Sequence, residues 1–287
     1  MNPVSSYSSA YLTVGNAVNQ NFNSMLTAIA RLSSGRQLNA ATDPAKLIAA
    51  AAVKAQITTR QALERASLRT SELLDVADGG LAEVSRLTNE IRGNLITAAS
   101  STTTDAERAA LQLEIDGAID AIDQIGELSY NGRPVFSGKT INVNYGPDLY
   151  SWDELYLPAI DAETLGDEDG YLADLRTGGK YDLESGDLAA ALKALDGVQS
   201  RIIYNRAEYA AFDKYSSGSI YDTLSTEELQ LTSIYSELMD VDYVSETSDL
   251  TRSAILAQSS LNAYRSLIAL ARTQESMLDA LFDLNRR

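Results

Sequence analysis

The chain contains no cysteine and no histidine in 287 residues. Without cysteine it has no disulfide, no thiolate metal site and no thiol nucleophile. Without histidine it loses the commonest general base, the commonest metal ligand and every Ser-His-Asp triad. Bases are scarce: 23 Lys and Arg stand against 40 Asp and Glu, for a net charge of −17 and a pI near 4.4. That sign repels a phosphate backbone and argues against a nucleic-acid partner. Long apolar runs are missing too. The most apolar stretch, Leu47 to Val53, is Ala-rich and far below the ~20 residues of a membrane helix, so no membrane insertion is expected. Residues 1–13 carry neither a basic cluster nor an apolar core, so no cleaved secretory signal is expected. These absences point away from catalysis, metals and cofactors.

What is present favours long helices. Only 5 Pro and 4 Phe interrupt a sequence rich in Ala, Leu and Ser. In the first segment Val4, Tyr7, Tyr11, Val14, Val18, Met25, Ile29 and Leu32 recur at steps of three, four or seven, with Phe22 in the longer gap. This spacing puts one narrow apolar seam along a helix. The helix is predicted to stop near Ser33-Ser34-Gly35, where glycine can take the left-handed terminal position. Residues 38–44 read as a connector, with Asp43 as N-cap and Pro44 as the first residue of the next helix. That helix runs to about Ala99, although Gly79-Gly80 weakens its pattern. After a turn at residues 100–105 a further helix reaches about Leu128, antiparallel to the previous one because the connection is short. Tyr130-Asn131-Gly132-Arg133 is a turn signal leading into a β-like Val135-Phe136.

From Lys139 to Asp196 the character changes: 13 acidic and 4 basic residues fall in 58, with Tyr145, Tyr150, Trp152, Tyr156, Tyr171 and Tyr181. Short strands and loops in an exposed acidic insertion are expected, with the tyrosines as the packed core of a small β domain. Helical pattern returns near Leu188 and breaks at residues 215–219. A second narrow stripe, Leu261, Tyr264, Ile268, Ala271, Leu278 and Leu281, runs almost to the C-terminus. Seam-forming helices at both ends suit pairing with each other and with copies of themselves.

The run Leu32-Ser33-Ser34-Gly35-Arg36-Gln37-Leu38-Asn39, followed by Asp43-Pro44-Ala45, resembles the N-terminal signature of the bacterial flagellin family. Asp242-Tyr243, then Leu250-Thr251-Arg252 and Ala254-Ile255-Leu256-Ala257-Gln258, resemble its C-terminal signature. The motif residues are thus Ser33, Ser34, Gly35, Arg36, Asn39, Asp43, Leu250, Thr251, Arg252 and Gln258. The resemblance covers roughly 1–138 and 188–287. It implies a mainly α fold in which long antiparallel terminal helices pack as a coiled coil or bundle around a small, acidic, partly β surface insertion. The implied organisation is an inner-tube helix and connector at 1–44 and a helical core at 45–138 and 188–249. An outer insertion follows at 139–187 and an inner-tube helix at 250–287. The implied function is a structural subunit of the extracellular flagellar filament. Its implied partners are further copies of itself, hook-associated and cap proteins, a flagellar export chaperone and the type III export apparatus.

Three rival readings stand beside this one. A hook–filament junction protein shares the terminal helices, and Asn131-Gly132-Arg133 before Phe136-Ser137-Gly138 is similar to that relative. Asp167-Glu168-Asp169-Gly170 invites a calcium site but lacks the spacing of an EF-hand loop. A carboxylate-pair hydrolase in the insertion would have acids in plenty and nothing to orient them. Two departures from the family pattern are also visible. The stretch from Val198 to Asp242 is long and contains the break at 216–219, which predicts an extra loop or hairpin. The chain also continues past the usual Leu-Leu ending through Arg287.

Overall fold

A computed structural model describes residues 3–37, 43–146, 151–184 and 187–284, and among these the side chains of 3–8, 278–279 and 281–284 are left out. Its elements are α1 (Pro3–Ser34), α2 (Pro44–Ala98), α3 (Asp105–Gly126), β1 (Ser129–Tyr130), β2 (Arg133–Pro134), β3 (Lys139–Asn144) and β4 (Trp152–Leu157). They continue with β5 (Gly166–Asp167), β6 (Gly170–Tyr171), a 3-10 turn (Leu172–Leu175), α4 (Leu188–Phe212), a π-helical turn (Asp213–Gly218), α5 (Ser219–Met239) and α6 (Tyr243–Leu284). The fold is mainly α with three two-stranded antiparallel sheets. The chain divides into two compact units: residues 1–55 with 231–287, and residues 56–230.

The second unit, 56–230, holds the large core. Leu81, Val84, Ile91 and Leu95 of α2 meet Ile115, Ile119 and Ile122 of α3 and Leu195, Val198 and Ile202 of α4. α3 begins at a full capping box, in which Thr104 accepts from the Glu107 amide and Glu107 accepts from the Thr104 amide. α4 lies antiparallel to α2, as shown by Gln199 on Ser85 (2.9 Å), Arg206 on Asp78 (2.7 Å) and Arg92 on Asp196. Asn131 (φ 50°) and Gly132 (φ 78°) make the two-residue turn of the β1–β2 hairpin, the backbone twist that Asn-Gly favours.

One expectation is met and two are corrected here. First, the expected long helix runs unbroken through Gly79-Gly80 to Ala98. A Cβ on Gly80 would lie 3.0 Å from the Phe136 ring and 3.2 Å from Leu128, so this glycine lets the hairpin segment approach the helix. Second, residues 215–219 form no loop or hairpin. A π turn carries the helix onward, and the Ser67 hydroxyl donates to the Ser217 carbonyl at 2.7 Å inside the core. Third, the 139–187 segment has its own buried apolar layer, and tyrosine does not supply most of it. β4 alternates, with Leu155 and Leu157 inward and Trp152 and Tyr156 exposed. Ile160, Leu165, Leu172 and Leu175 complete the layer and join the helical core, with Tyr181 the buried tyrosine among the described ones of this segment. The acids sit outside this layer, which is why composition alone suggested an exposed acidic insertion with a tyrosine core.

Candidate self-association surface

In the first unit α1 and α6 pair antiparallel. Tyr11 and Tyr264 meet edge to face with ring centroids 6.2 Å apart, and the Tyr11 hydroxyl donates to the Leu267 carbonyl at 2.8 Å. The Asn21 amide donates to the Ser260 hydroxyl at 3.3 Å, and Arg31 pairs with Glu246 at 3.6 Å. On α1 the inward positions are Tyr11, Val14, Val18, Asn21, Met25, Ala28 and Leu32, a continuous four–three alternation. On α6 they are Glu246, Leu250, Ser253, Ala257, Ser260, Tyr264, Leu267, Ala271 and Gln274. This is heptad spacing on both helices. The Asn21–Ser260 contact is a polar layer that sets register at some cost in stability.

The structure thus brings Tyr11, Val14, Val18, Met25, Leu32 and Tyr264 to the seam. Leu261 and Ile268 are half-buried beside it, and Ile29 is 45% exposed. The side chains of Val4, Tyr7, Leu278 and Leu281 lie outside the described residues. Asn21, Ala28, Ser253, Ala257 and Ser260 were missed because a search for large apolar residues passes over small and polar ones. Following the four–three step through them would have found them.

Gly35 and Arg36 of the motif sit at the joint where α1 ends. Gly35 takes φ +68°, and its carbonyl accepts from the Val241 amide at 3.1 Å. The Gln37 amide donates to the Met239 carbonyl at 2.8 Å, and Arg36 bridges Asp240. Ser34 Oγ accepts from the Arg36 amide at 3.3 Å, while Ser33 is exposed. Asp242 caps α6, accepting from the amides of Val244 (2.9 Å) and Ser245 (3.1 Å). The Asp43 carbonyl accepts from Leu47 at the start of α2, where Pro44 is the first helical residue. Leu250 is half-buried; Thr251, Arg252 and Gln258 are exposed. Asn39 lies outside the described residues.

Beside the seam each terminal helix keeps a second apolar set in solvent. On α1 these are Leu12 (66% exposed), Phe22, Leu26 (58%) and Ile29; on α6, Ile255, Leu256, Leu270 and Met277 (58%). Phe22 and Ile29 are seven apart, and Leu256, Leu270 and Met277 stand at multiples of seven, so each set stays on one side of its helix. Exposed apolar rows of this kind mark an interaction face. Among the described residues no group of three carboxylates comes together to hold a metal ion, and no helix is long and apolar enough to cross a membrane. Asp167-Glu168-Asp169-Gly170 forms the tight β5–β6 turn, with the Asp169 carboxylate held by Lys193 at 2.7 Å.

Comparison with known proteins agrees with this geometry. Residues 5–140 match the bacterial flagellin N-terminal helical region. The chain is 25% identical to flagellin of Bacillus subtilis over 279 residues, covering 88% of this chain and 91% of that one. It is 25% identical to the flagellar filament 30.7 kDa core protein of Treponema maltophilum, covering 86% and 88%. With Escherichia coli O127:H6 flagellin it shares 29% over 192 residues, but it spans only 33% of that longer protein. A putative flagellar hook-associated protein from Vibrio parahaemolyticus has the same fold, with a TM-score of 0.57 at 13% identity, over 69% of this chain and all of that one. These matches show a bacterial flagellin N-terminal helical region over residues 5–140, and the chain is similar to flagellins along most of its length.

Proposed function

We propose that this chain is a structural subunit that polymerises through its terminal helices into the extracellular bacterial flagellar filament. The observation that carries this reading is the second apolar stripe on α1 and α6, which the protomer itself leaves in water. Eight large side chains are involved. At about 1.5–3 kcal/mol for each one fully buried, covering them is worth on the order of 10 kcal/mol. The near-complete matches to filament proteins of Bacillus and Treponema support the same reading. The role is structural, not catalytic. In this reading the terminal helices of 1–44 and 250–287 line the inner tube of the filament and residues 139–187 face outward. Hook-associated and cap proteins would meet the ends of the polymer. A chaperone and the flagellar export apparatus would handle the chain before assembly.

The test is sedimentation of Leu26→Asp and Leu270→Asp at concentrations where the unaltered protein pellets. Both variants are expected to stay in the supernatant with far-UV circular dichroism like that of the parent, because neither residue packs in the seam. Filaments from both at parental yield would defeat the proposal.

A further inference from the structure

Hairpin β1–β2, strand β3 and the adjoining turns of α2 enclose a groove of about 810 Å³. No carboxylate lines it, in a chain that has 40. Three cations do: Arg69 on α2, Arg133 on β2 and Lys139 on β3. All three are exposed, and none of their side chains makes a hydrogen bond or ion pair with a described residue. Elsewhere in the unit cations tie elements together, as in Arg60–Glu227, Arg176–Asp120 and Arg206–Asp78. The groove's three cations hold nothing together.

The matching charge lies on the same unit. Residues 161–169 carry five acids and no base. Glu163 and Glu168 are exposed and take part in no ion pair among the described residues. The loop sits beside α4: a Cβ on Gly197 would lie 2.3 Å from the Asp167 carboxylate, and the neighbouring Asp196 pairs with Arg92 of α2. Arg69 and Arg92 are 23 residues apart on one helix, which is about 35 Å at 1.5 Å per residue. The Asp167–Asp169 tip is therefore far from Arg69, and within one subunit no groove cation pairs with a described acid of the loop. Between copies a contact of this kind joins two different patches and repeats head to tail.

We propose that the Arg69–Arg133–Lys139 groove receives the acidic 161–169 loop of a second copy of this chain. This rests on the filament reading above and names one contact that would set the order of subunits along the polymer. Charge complementarity of this kind selects register and partner more than it adds raw affinity.

The experiment measures the critical concentration for assembly of the full chain by sedimentation at low ionic strength. It compares Arg69→Glu/Arg133→Glu/Lys139→Glu, Glu163→Lys/Glu168→Lys, and the combination of all five changes. Each one-sided reversal is expected to raise the critical concentration about tenfold or more, since it sets like charges face to face. The combination is expected to return to within about threefold of the parent, and the differences are expected to shrink in high salt. If the triple reversal loses helix by circular dichroism, the neutral Arg69→Gln/Arg133→Gln/Lys139→Gln variant carries the test, with a smaller rise. Parental assembly by the one-sided variants overturns the proposal. So does a combined variant no better than the worse half, which would give the groove another occupant. A parent chain that never pellets overturns the filament reading and this contact with it.

Discussion

Gly35 shows how one residue shapes the terminal unit. Its φ of +68° is the left-handed region, and a Cβ there would also stand 3.2 Å from the Tyr243 hydroxyl. Gly35→Ala is therefore expected to cost about 1–2 kcal/mol locally. Amide hydrogen exchange at Gln37 and Val241, whose N–H groups stitch the joint, should report it as faster opening. In the second unit Asp116 plays a comparable part. Burial works against its ionisation, but donation from the Thr177 hydroxyl (2.6 Å), Gln112 (3.0 Å) and the Thr177 amide (3.0 Å), with Arg176 nearby, outweighs burial and holds the carboxyl below its ordinary range. A depressed native pKa means the unfolded chain binds the extra proton. The stabilisation is thus complete above the usual Asp pKa of about 3.9 and is lost as the pH falls through and below that value. Asp116→Asn should flatten the slope of melting temperature against pH below about 4. An unchanged slope would show that the interaction contributes nothing to acid stability.

At the scale of elements the α1–α6 pair is the decisive piece. Its seam is narrow and rich in small and polar residues, so the pairing is weak by the measure of buried area. Leu32→Asp and Ile268→Asp are expected to put a charge at or beside it, loosen the pair and block pelleting. The second unit should keep its melting transition, since its core of Leu81, Ile91, Ile119 and Leu195 is untouched. Calorimetry that showed this transition lost as well would contradict the separation. Much of this was legible in the sequence, because local chemistry decides it. Pro44 starts α2, Gly35 ends α1, Asn131-Gly132 turns a hairpin and the terminal stripes follow helical spacing. The π turn was hidden because the Ser67 hydroxyl that meets it comes from 150 residues away. The apolar layer of residues 155–183 was hidden because its leucines and isoleucines are irregularly spaced among acids. The second apolar stripe was also missed, since one-dimensional spacing does not say which of two neighbouring rows finds a partner.

At the scale of the whole molecule the two units divide the work. The second has a core of more than a score of buried apolar side chains. The first buries little beyond Ala28, Ala50, Met239, Val241 and Ala257 while leaving large apolar side chains on both terminal helices in solvent. Ordering a helix costs roughly 1–2 kcal/mol per residue in backbone entropy, and a seam of this kind offsets that only in part. In the proposed reading assembly supplies the missing burial, which would link the terminal stripes to function. The most direct measurement is electron microscopy of the purified full-length protein as its concentration is raised in a salting-out buffer. The account predicts long filaments of helical symmetry whose central density is built from α1 and α6. A protein that stays monodisperse and monomeric across the whole range, with both terminal helices protected from hydrogen exchange, would contradict it.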